Sequence, residues 1–341
     1  MNQKVNKIEL SEKDYQGAPS SMCQGCGHDA ISASIRKAFY ESSIDPRTVM
    51  KLSGIGCSSK TPAYFMGQSF GINSVHGRMA AIATGAHAAN HLMTPIGVSG
   101  DGDTSAIGLG NFCHMVRRNL NITYIIENNG VYGLTKGQFS ATADKGTVLK
   151  KGQINQNDPI DICQLAITMG ATFVARSFSG DRKQLAPLIQ AAAAHQGTAI
   201  LDVLSPCVTF NNHEGSTKSL KSIRANLDPV HDLDFTPPAE DIAVDYDPGT
   251  DVEVTLHDGS RIVLTKLREN YDPRKRMAAL VALDDAIQQD KFLTGLIYLD
   301  QNTPSFAEQM QLPDTALAYL SEKELRPNPK ALDAINDSFK V

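Results

Sequence analysis

Residues 95–103 read PIGVSGDGD, and this stretch decides the fold because a short apolar, β-rich run ends in a turn with two glycines. A helical pattern begins directly afterwards, at residues 105–119. A strand, a glycine turn and a helix form a phosphate-binding geometry, since glycines let the backbone approach phosphate groups and a helix N-terminus favours negative charge. The stretch therefore predicts a phosphate site, with an ordinary turn and helix cap as the alternative.

Strand and helix patterns alternate on both sides of this turn, from about residue 29 to residue 205. Helical patterns cover residues 29–43, 78–93, 105–119, 161–170 and 181–195, and β-rich segments cover residues 48–53, 96–99, 122–127, 171–178 and 198–204. This order predicts an α/β fold with a parallel sheet and helices on both faces. Ligands bind at the carboxyl ends of strands in such folds, so four loops should converge on one site: residues 54–60, 100–104, 128–138 and 205–212.

The segment NNGV at residues 128–131 supplies a second half to the glycine turn. Mg²⁺ prefers oxygen ligands in octahedral array, which the Asp101 carboxylate, the Asn129 side-chain oxygen and the Val131 backbone carbonyl offer beside two phosphate oxygens and a water. The arrangement resembles the thiamine diphosphate motif. Because this second half is present, we disfavour the interpretation of GDGD as an ordinary turn.

Four of the six cysteines lie within two residues of Gly, Pro or Ser outside the helical patterns, namely Cys23, Cys26, Cys57 and Cys207. The other two, Cys113 and Cys163, fit small buried hydrophobic positions on helices. Four converging thiolates suit either zinc or a 4Fe-4S cluster. We favour iron-sulfur, because structural zinc commonly uses two closely spaced pairs and here the third and fourth cysteines are single. Four unrelated buried cysteines remain a third interpretation.

The bulk composition is that of a globular protein. The 341 residues are 41% hydrophobic and 20% charged, with a formal net charge of −5, so nucleic acid is not an expected partner. The N-terminal MNQKVNKIELSEKDY lacks the apolar core of a signal peptide, and no run reaches the ~18 apolar residues of a membrane span. We expect a cytoplasmic protein without membrane contact and without a disulfide framework.

The chain changes character after about residue 210. Residues 233–251 are rich in Pro and Asp, VEVTLHDGSRIVLTKL predicts a β-hairpin turning at Asp258-Gly259, and a helix is expected near residues 275–290. We therefore divide the chain into a cofactor-binding domain at residues 1–210 and a C-terminal extension at residues 211–341. The end of the extension mixes Pro with short helical patterns, which favours an arm that contacts a partner subunit.

Several motifs occur in a fixed order between residues 20 and 215. They are CQGCGH (23–28), GIGCSSK (54–60), HGR (76–78), GDGD (100–103), RRN (117–119), NNGVYGLTKGQ (128–138) and SPCVTF (205–210). Their order and content resemble the beta subunits of 2-oxoacid:ferredoxin oxidoreductases. The resemblance implies a thiamine diphosphate-binding fold and the diphosphate-side domain of a two-subunit cofactor site.

The same resemblance implies a role for each matching residue. The four cysteines outside the helical patterns bind one 4Fe-4S cluster, and the three oxygen ligands given above bind magnesium. The residues expected to contact thiamine diphosphate are Gly100, Asp101, Gly102, Asp103, Asn129, Val131, Cys57 and Ser58. His28 lies beside the cofactor and Arg78 faces the active site. A structural hydrogen bond and a solvated charge are the simpler explanations for His28 and Arg78.

Two positions resemble the selectors of the 2-oxoacid side chain, and here they are Lys60 and Leu134. Relatives specific for pyruvate carry Asn at the position of Leu134. An ammonium group at Lys60 offers a counter-charge for a distal carboxylate, which 2-oxoglutarate has and pyruvate lacks. Lys60 solvated on a loop is the alternative, and Lys136 competes for the same role or for a phosphate contact.

The activity implied by the resemblance is decarboxylation of 2-oxoglutarate to succinyl-CoA and CO2. Electrons pass through the cluster to ferredoxin, and a low-potential acceptor makes reverse carboxylation accessible. The chain should need an alpha subunit for activity, in a dimer of alpha-beta heterodimers. The alternatives are an oxidoreductase for pyruvate or another 2-oxoacid, a non-redox thiamine lyase with structural zinc, and an electron-transfer subunit without catalysis.

Overall fold

Strands from both halves of the chain form one sheet in the computed structural model, which describes residues 4–148, 153–209, 240–257, 260–326 and 328–340. Within these ranges the strands are β1 (Val49–Ser53), β2 (Phe70–Asn73), β3 (Thr94–Gly100), β4 (Ile122–Asn128), β5 (Val131–Tyr132), β6 (Gln138–Phe139), β7 (Phe173–Phe178), β8 (Thr198–Leu204), β9 (Asp251–Thr255), β10 (Arg261–Lys266) and β11 (Lys291–Leu299). All except β5 and β6 belong to this sheet, whose order is β2-β1-β3-β4-β8-β7-β11-β10-β9.

The six strands from β2 to β7 in this order pair in parallel. Every residue of β1, β4, β7 and β8 is buried. Strands covered on both faces carry near-continuous apolar sequence, which is why segments such as ITYIIEN were recognisable. The five strands that the sequence predicted are confirmed, each within about two residues of its expected ends.

The helices cover both faces of this sheet. They are α1 (Gly27–Glu41), α2 (Met79–Ala89), α3 (Leu109–Arg117), α4 (Ile162–Met169), α5 (Arg182–Ala194), α6 (Arg276–Gln288), α7 (Phe306–Gln309), α8 (Glu322–Leu325) and α9 (Pro329–Ser338). One apolar cluster packs α2, α3, α4 and α6 on one face, and a second packs α1 and α5 on the other. Neighbouring residues of a strand enter opposite clusters, as Val49 and Met50 do. The predicted α/β fold is confirmed.

The C-terminal part of the chain extends the same sheet. β11 pairs antiparallel with β7, β10 pairs parallel with β11, and β9 pairs antiparallel with β10. The predicted hairpin is present as β9 and β10, while its predicted turn at Asp258-Gly259 lies outside the described residues. The predicted helix at 275–290 is confirmed as α6, and β2 and β11 were not predicted. The division at residue 210 stays a prediction.

The last described helices lie on the surface. Neither α8 nor α9 has a buried residue, and α9 exposes Leu332 and Ile335. The expectation that this end contacts a partner subunit stays a prediction. Across the described ranges, no helix combines the length and apolar content that crossing a bilayer requires.

Candidate active site

The loops after the parallel strands meet at one edge of the sheet, as the sequence predicted. The Gly54 amide, after β1, donates to the Val98 carbonyl of β3 at 2.8 Å. The Ser205 amide, after β8, donates to the Asn128 carbonyl at the end of β4 at 2.7 Å. Convergence of the loops is therefore confirmed for their described residues, which end at residue 209 after β8.

The glycine turn after β3 packs closely against the loop after β4. A Cβ atom on Gly102 would lie 2.4 Å from two ring carbons of Tyr132, so a side chain there forces the tyrosine to move. The Tyr132 hydroxyl donates to the Gly102 carbonyl at 2.9 Å. Glycine at this position thus brings the two predicted halves of the phosphate site together.

The helix after the turn begins with a π-helical segment, Asp103–Ile107, rather than with the regular helix predicted from residue 105. The Gly108 amide donates to the Asp103 carbonyl at 2.8 Å, a bond that spans five residues. α3 then starts at Leu109. Single π-type turns occur often at functional sites, and sequence periodicity does not reveal them.

Asp103 ties this turn to its neighbours. One carboxylate oxygen accepts from the Gly77 amide at 2.7 Å, and the other accepts from the Ser99 hydroxyl at 2.9 Å. Both oxygens of this buried carboxylate are thus bonded to protein groups. Asp103 shapes the turn through these bonds, and its predicted contact with the cofactor stays a prediction.

Asp101 is 1% exposed and forms no ion pair with any described residue. Its Oδ2 accepts from the Gly130 amide at 3.1 Å and from the hydroxyls of Ser140 and Thr142. Within the described ranges its Oδ1 has a single hydrogen-bond contact, from the Asn129 amide at 3.5 Å. A buried carboxylate without a cationic partner is costly unless a cation joins it, so this group fits a magnesium ligand.

The other two predicted magnesium ligands lie beside this carboxylate. Asn129 and Val131 are 7% and 5% exposed. The Asn129 Oδ1 accepts from the Val131 amide at 3.0 Å, and a carbonyl oxygen has a second lone pair for a further partner. The oxygen-rich donor set therefore fits Mg²⁺ rather than a softer metal.

His28 is buried at the start of α1, with its Nδ1 2.6 Å from the Ser205 hydroxyl. Its Nε2 lies 3.6 Å from Oε2 of Glu127, which is also fully buried. Burial lowers the pKa of His28 to about 4, and burial also raises the pKa of Glu127 well above its ordinary value. The imidazole of His28 is therefore neutral at pH 7.

Glu127 and Ser205 were not identified from the sequence. The Thr61 hydroxyl donates to the Glu127 Oε2 at 2.9 Å, and Oε1 of Glu127 has no partner among the described residues. Glu127 is the one charged residue of β4, whose other residues are apolar or uncharged, and it directly precedes the NNGV segment. That position is a signal the sequence offered, since a carboxyl group at the end of a buried strand points to a site.

The structure associates the four predicted cluster cysteines in two pairs, Cys26 with Cys207 and Cys57 with Cys23. Burial raises the pKa of Cys26, with a smaller contribution from Cys207. Burial also raises the pKa of Cys57, against the attraction of Lys60 and with the repulsion of Cys23. No three His, Cys, Asp or Glu side chains of the described ranges are grouped closely enough to hold one metal ion. The four-cysteine site stays a prediction.

The remaining predicted residues lie near the surface of this edge. Lys60 is partly buried, Leu134 is 53% exposed, and Arg78 is exposed with its guanidinium 3.3 Å from the Gly77 carbonyl. Ser58 is buried and donates to the Ile55 carbonyl at 3.2 Å. Their contacts with a substrate or cofactor stay predictions.

Comparisons with known proteins agree with the fold and the site. Residues 54–203 match the family model described as "Thiamine pyrophosphate enzyme, C-terminal TPP binding domain". Residues 261–313 match the family model that describes the C-terminal part of the beta subunit of pyruvate ferredoxin oxidoreductase. The sheet edge with Asp101 and Asn129, together with the first match, defines a thiamine diphosphate-binding domain.

Relatives identify the family. A 2-oxoacid:ferredoxin oxidoreductase subunit beta of Sulfolobus sp is 35% identical over 318 residues, which cover 92% of this chain and 93% of that protein. The 2-oxoglutarate oxidoreductase subunit KorB of Mycobacterium tuberculosis is 40% identical over 58% of this chain and 52% of its own length. The chain therefore belongs to the beta subunits of the 2-oxoacid:ferredoxin oxidoreductases, and the predicted resemblance is confirmed.

A solved structure extends this similarity to the fold of nearly the whole chain. It is a 2-oxoglutarate:ferredoxin oxidoreductase from Magnetococcus marinus with 2-oxoglutarate, coenzyme A and succinyl-CoA bound. The match has a TM-score of 0.69 at 27% sequence identity and covers 93% of this chain and 97% of that chain.

Proposed function

We propose that this chain is the diphosphate-binding and cluster-carrying subunit of an enzyme that converts 2-oxoglutarate and coenzyme A to succinyl-CoA and CO2, with ferredoxin as the electron acceptor. The observation that carries the proposal is the buried Asp101 carboxylate, which has no cationic partner among the described residues and lies beside Asn129 at the end of the parallel sheet. Similarity to a solved 2-oxoglutarate enzyme supports the choice of substrate.

The residues that would hold the cofactor are those of the glycine turn and the NNGV segment. Asp101, Asn129 and the Val131 carbonyl would bind Mg²⁺, while backbone amides of the turn at 100–103 would donate to the diphosphate. Thiamine diphosphate, when bound, supplies the carbanion stabilisation that decarboxylation of a 2-oxoacid requires. The protein contributes placement of the substrate, exclusion of water and the electrostatic environment.

The neutral imidazole of His28 offers one N–H donor and one lone pair next to this position. The Ser205 hydroxyl fixes its Nδ1, so Nε2 points towards Glu127. A neutral histidine in a buried site is able to orient a polar group of the substrate without adding a charge. Lys60, partly buried on the neighbouring loop, would supply the positive charge for the distal carboxylate of 2-oxoglutarate.

We assign Cys23, Cys26, Cys57 and Cys207 to a 4Fe-4S cluster. The proximity of Cys26 to Cys207 and of Cys57 to Cys23 supports a common location, because the Cys26 amide also donates to the Cys23 carbonyl at 3.0 Å and so connects the two pairs. A zinc ion would need ligands within about 2.3 Å of one point, and the described side chains give that arrangement no support. A cluster of four irons spans more space, and each iron takes one cysteine.

An alpha subunit would complete the site. One thiamine domain is matched in this chain, and a thiamine site also needs a pyrimidine-side domain. Exposed apolar side chains lie in the segments that carry predicted site residues, among them Val75 (67% exposed), Ile107 (45%) and Leu134 (53%). Apolar groups exposed together at a site rim favour a protein contact.

The proposal is tested by anaerobic co-purification with the alpha subunit and by measurement of ferredoxin reduction with a panel of 2-oxoacids. We expect coenzyme A-dependent activity for which kcat/KM with 2-oxoglutarate exceeds that with pyruvate, and no activity of this chain alone. The match of residues 261–313 to a pyruvate enzyme family makes pyruvate the second candidate. A higher kcat/KM with pyruvate would select that alternative and reject 2-oxoglutarate.

A further inference from the structure

We infer that Thr142 is a positioning residue for the Asp101 carboxylate, so that this buried hydroxyl donor sets the affinity of the magnesium site. The inference rests on the proposed function, because it assigns a supporting role to residues around the proposed metal ligand. Neither Thr142 nor Ser140, the two hydroxyl donors to Asp101, belongs to the motifs that revealed the site.

The two oxygens of Asp101 have unequal environments. Oδ2 accepts from the Gly130 amide and from the hydroxyls of Ser140 and Thr142, whereas Oδ1 has one contact, at 3.5 Å, in the part of the chain that the structure describes. Three donors on one oxygen fix the rotation of the carboxylate and leave Oδ1 as the oxygen with free lone pairs. The arrangement therefore orients Oδ1 to bind a cation.

Thr142 links this carboxylate to a second polar group. Its hydroxyl lies 2.5 Å from Oδ2 of Asp101 and 3.0 Å from Oδ1 of Asn128, and both of these oxygens are acceptors. A hydroxyl has one proton, so Thr142 donates to one of them at a time, and the charged carboxylate is the stronger acceptor. The side chain is 7% exposed, so water does not replace either contact readily.

Asn128 is fixed from its other side. Its Nδ2 donates to Oδ1 of Asp202 at 2.9 Å, and Oδ2 of Asp202 accepts from Arg176 Nε at 2.8 Å. The other arm of Arg176 bonds Asp161, which caps α4 by accepting from the Gln164 amide at 2.8 Å. These bonds connect Asn128 through β8 and β7, in the middle of the sheet, to the N-terminus of α4.

This network has the form of the outer shell of a metal site. Hydrogen-bond partners of a metal-ligating carboxylate hold its orientation, and their loss commonly lowers metal affinity by about 10- to 100-fold. Arg176 and Asp202 are 3% and 1% exposed, so the outer end is rigidly packed. Groups on β8 and β7 therefore fix Asn128, whose Oδ1 lies 3.0 Å from the Thr142 hydroxyl and competes with Asp101 for its proton.

The test uses the complete complex with the alpha subunit. Calorimetric titration with Mg²⁺ at a fixed concentration of thiamine diphosphate is carried out on Thr142→Val, which removes the hydroxyl at nearly constant volume. We expect the apparent Mg²⁺ affinity to fall by about 10- to 100-fold. Thr142→Ser keeps the hydroxyl and should restore most of the affinity. An unchanged affinity in Thr142→Val would overturn the inference.

Thr147 provides a matched control, because its hydroxyl is 1% exposed and has no partner among the described residues. Thr147→Val should leave Mg²⁺ affinity unchanged. An equal loss of affinity in Thr147→Val would show that replacing any buried threonine of this loop weakens Mg²⁺ binding, and this result would contradict the inference. Absence of Mg²⁺-dependent binding by the wild-type complex would reject the proposed site itself and this inference with it.

A second variant keeps the test decisive if Thr142→Val does not assemble. Ser140→Ala removes the other hydroxyl donor to Oδ2 of Asp101, so Mg²⁺ affinity should fall here as well. An unchanged affinity in Ser140→Ala would contradict the claim that hydroxyl donors to Oδ2 set the affinity of the site.

Discussion

Replacement of Asp101 by Asn is expected to weaken magnesium-dependent binding of thiamine diphosphate by more than about 100-fold, since it removes the charge of a direct ligand. The carboxylate is buried without a cation among the described residues, and the Asn129 amide, at 3.5 Å, is the one contact of its Oδ1 there. Calorimetry with Mg²⁺ and thiamine diphosphate on the alpha-beta complex measures this effect. The iron content and visible colour of the complex should not change.

Asp290→Asn is the control for this substitution. Asp290 is exposed after α6 with a φ of 54°, a conformation that Asn tolerates, and it is far in sequence from the site. Its variant should bind the cofactor as the wild type does. Normal cofactor affinity in Asp101→Asn would remove this residue from the magnesium site.

Replacement of Lys60 by Ala is expected to lower the preference for 2-oxoglutarate over pyruvate. Loss of one member of a buried charge pair costs about 2 to 5 kcal/mol. Lys60 is only partly buried in the described chain, so we expect the lower end, about 2 kcal/mol or roughly a 30-fold change in the ratio of kcat/KM values. Steady-state kinetics with the two substrates measure that ratio.

Two lysine variants separate this effect from others. Lys60→Arg keeps the positive charge and should retain most of the preference, although the planar guanidinium binds a carboxylate differently. Lys136→Ala removes the exposed lysine of the neighbouring loop, and we expect an unchanged ratio. If Lys60→Ala leaves the ratio unchanged while Lys136→Ala lowers it, Lys136 is the substrate-binding residue.

The fold was predictable where burial imposes a continuous apolar sequence. β4 and β8 are buried along their full length and pair in parallel, and their sequences are typical of buried parallel strands. β11 was missed because Gly295 interrupts KFLTGLIYL, and its antiparallel pairing with β7 joins distant parts of the chain. β2 was missed because it is a short, mostly exposed edge strand of four residues.

The site was predictable where a residue type is tied to its chemistry. The glycine turn with Asp101 and the Asn129 segment have few other uses in combination, so their association was expected. Ser140, Thr142 and Ser205 carry no such signature, because a single hydroxyl occurs on many surfaces and turns. Their contacts come from the packing of loops that only the tertiary structure brings together.

Metal analysis of the alpha-beta complex, purified without oxygen, tests the central claim most directly. The account predicts about four iron atoms and little zinc for each copy of this chain, together with bound thiamine diphosphate. Iron should be lost when Cys207 is replaced by Ser. A complex that contains one zinc ion and no iron for each chain would contradict the assignment of the four cysteines and the redox function built on it.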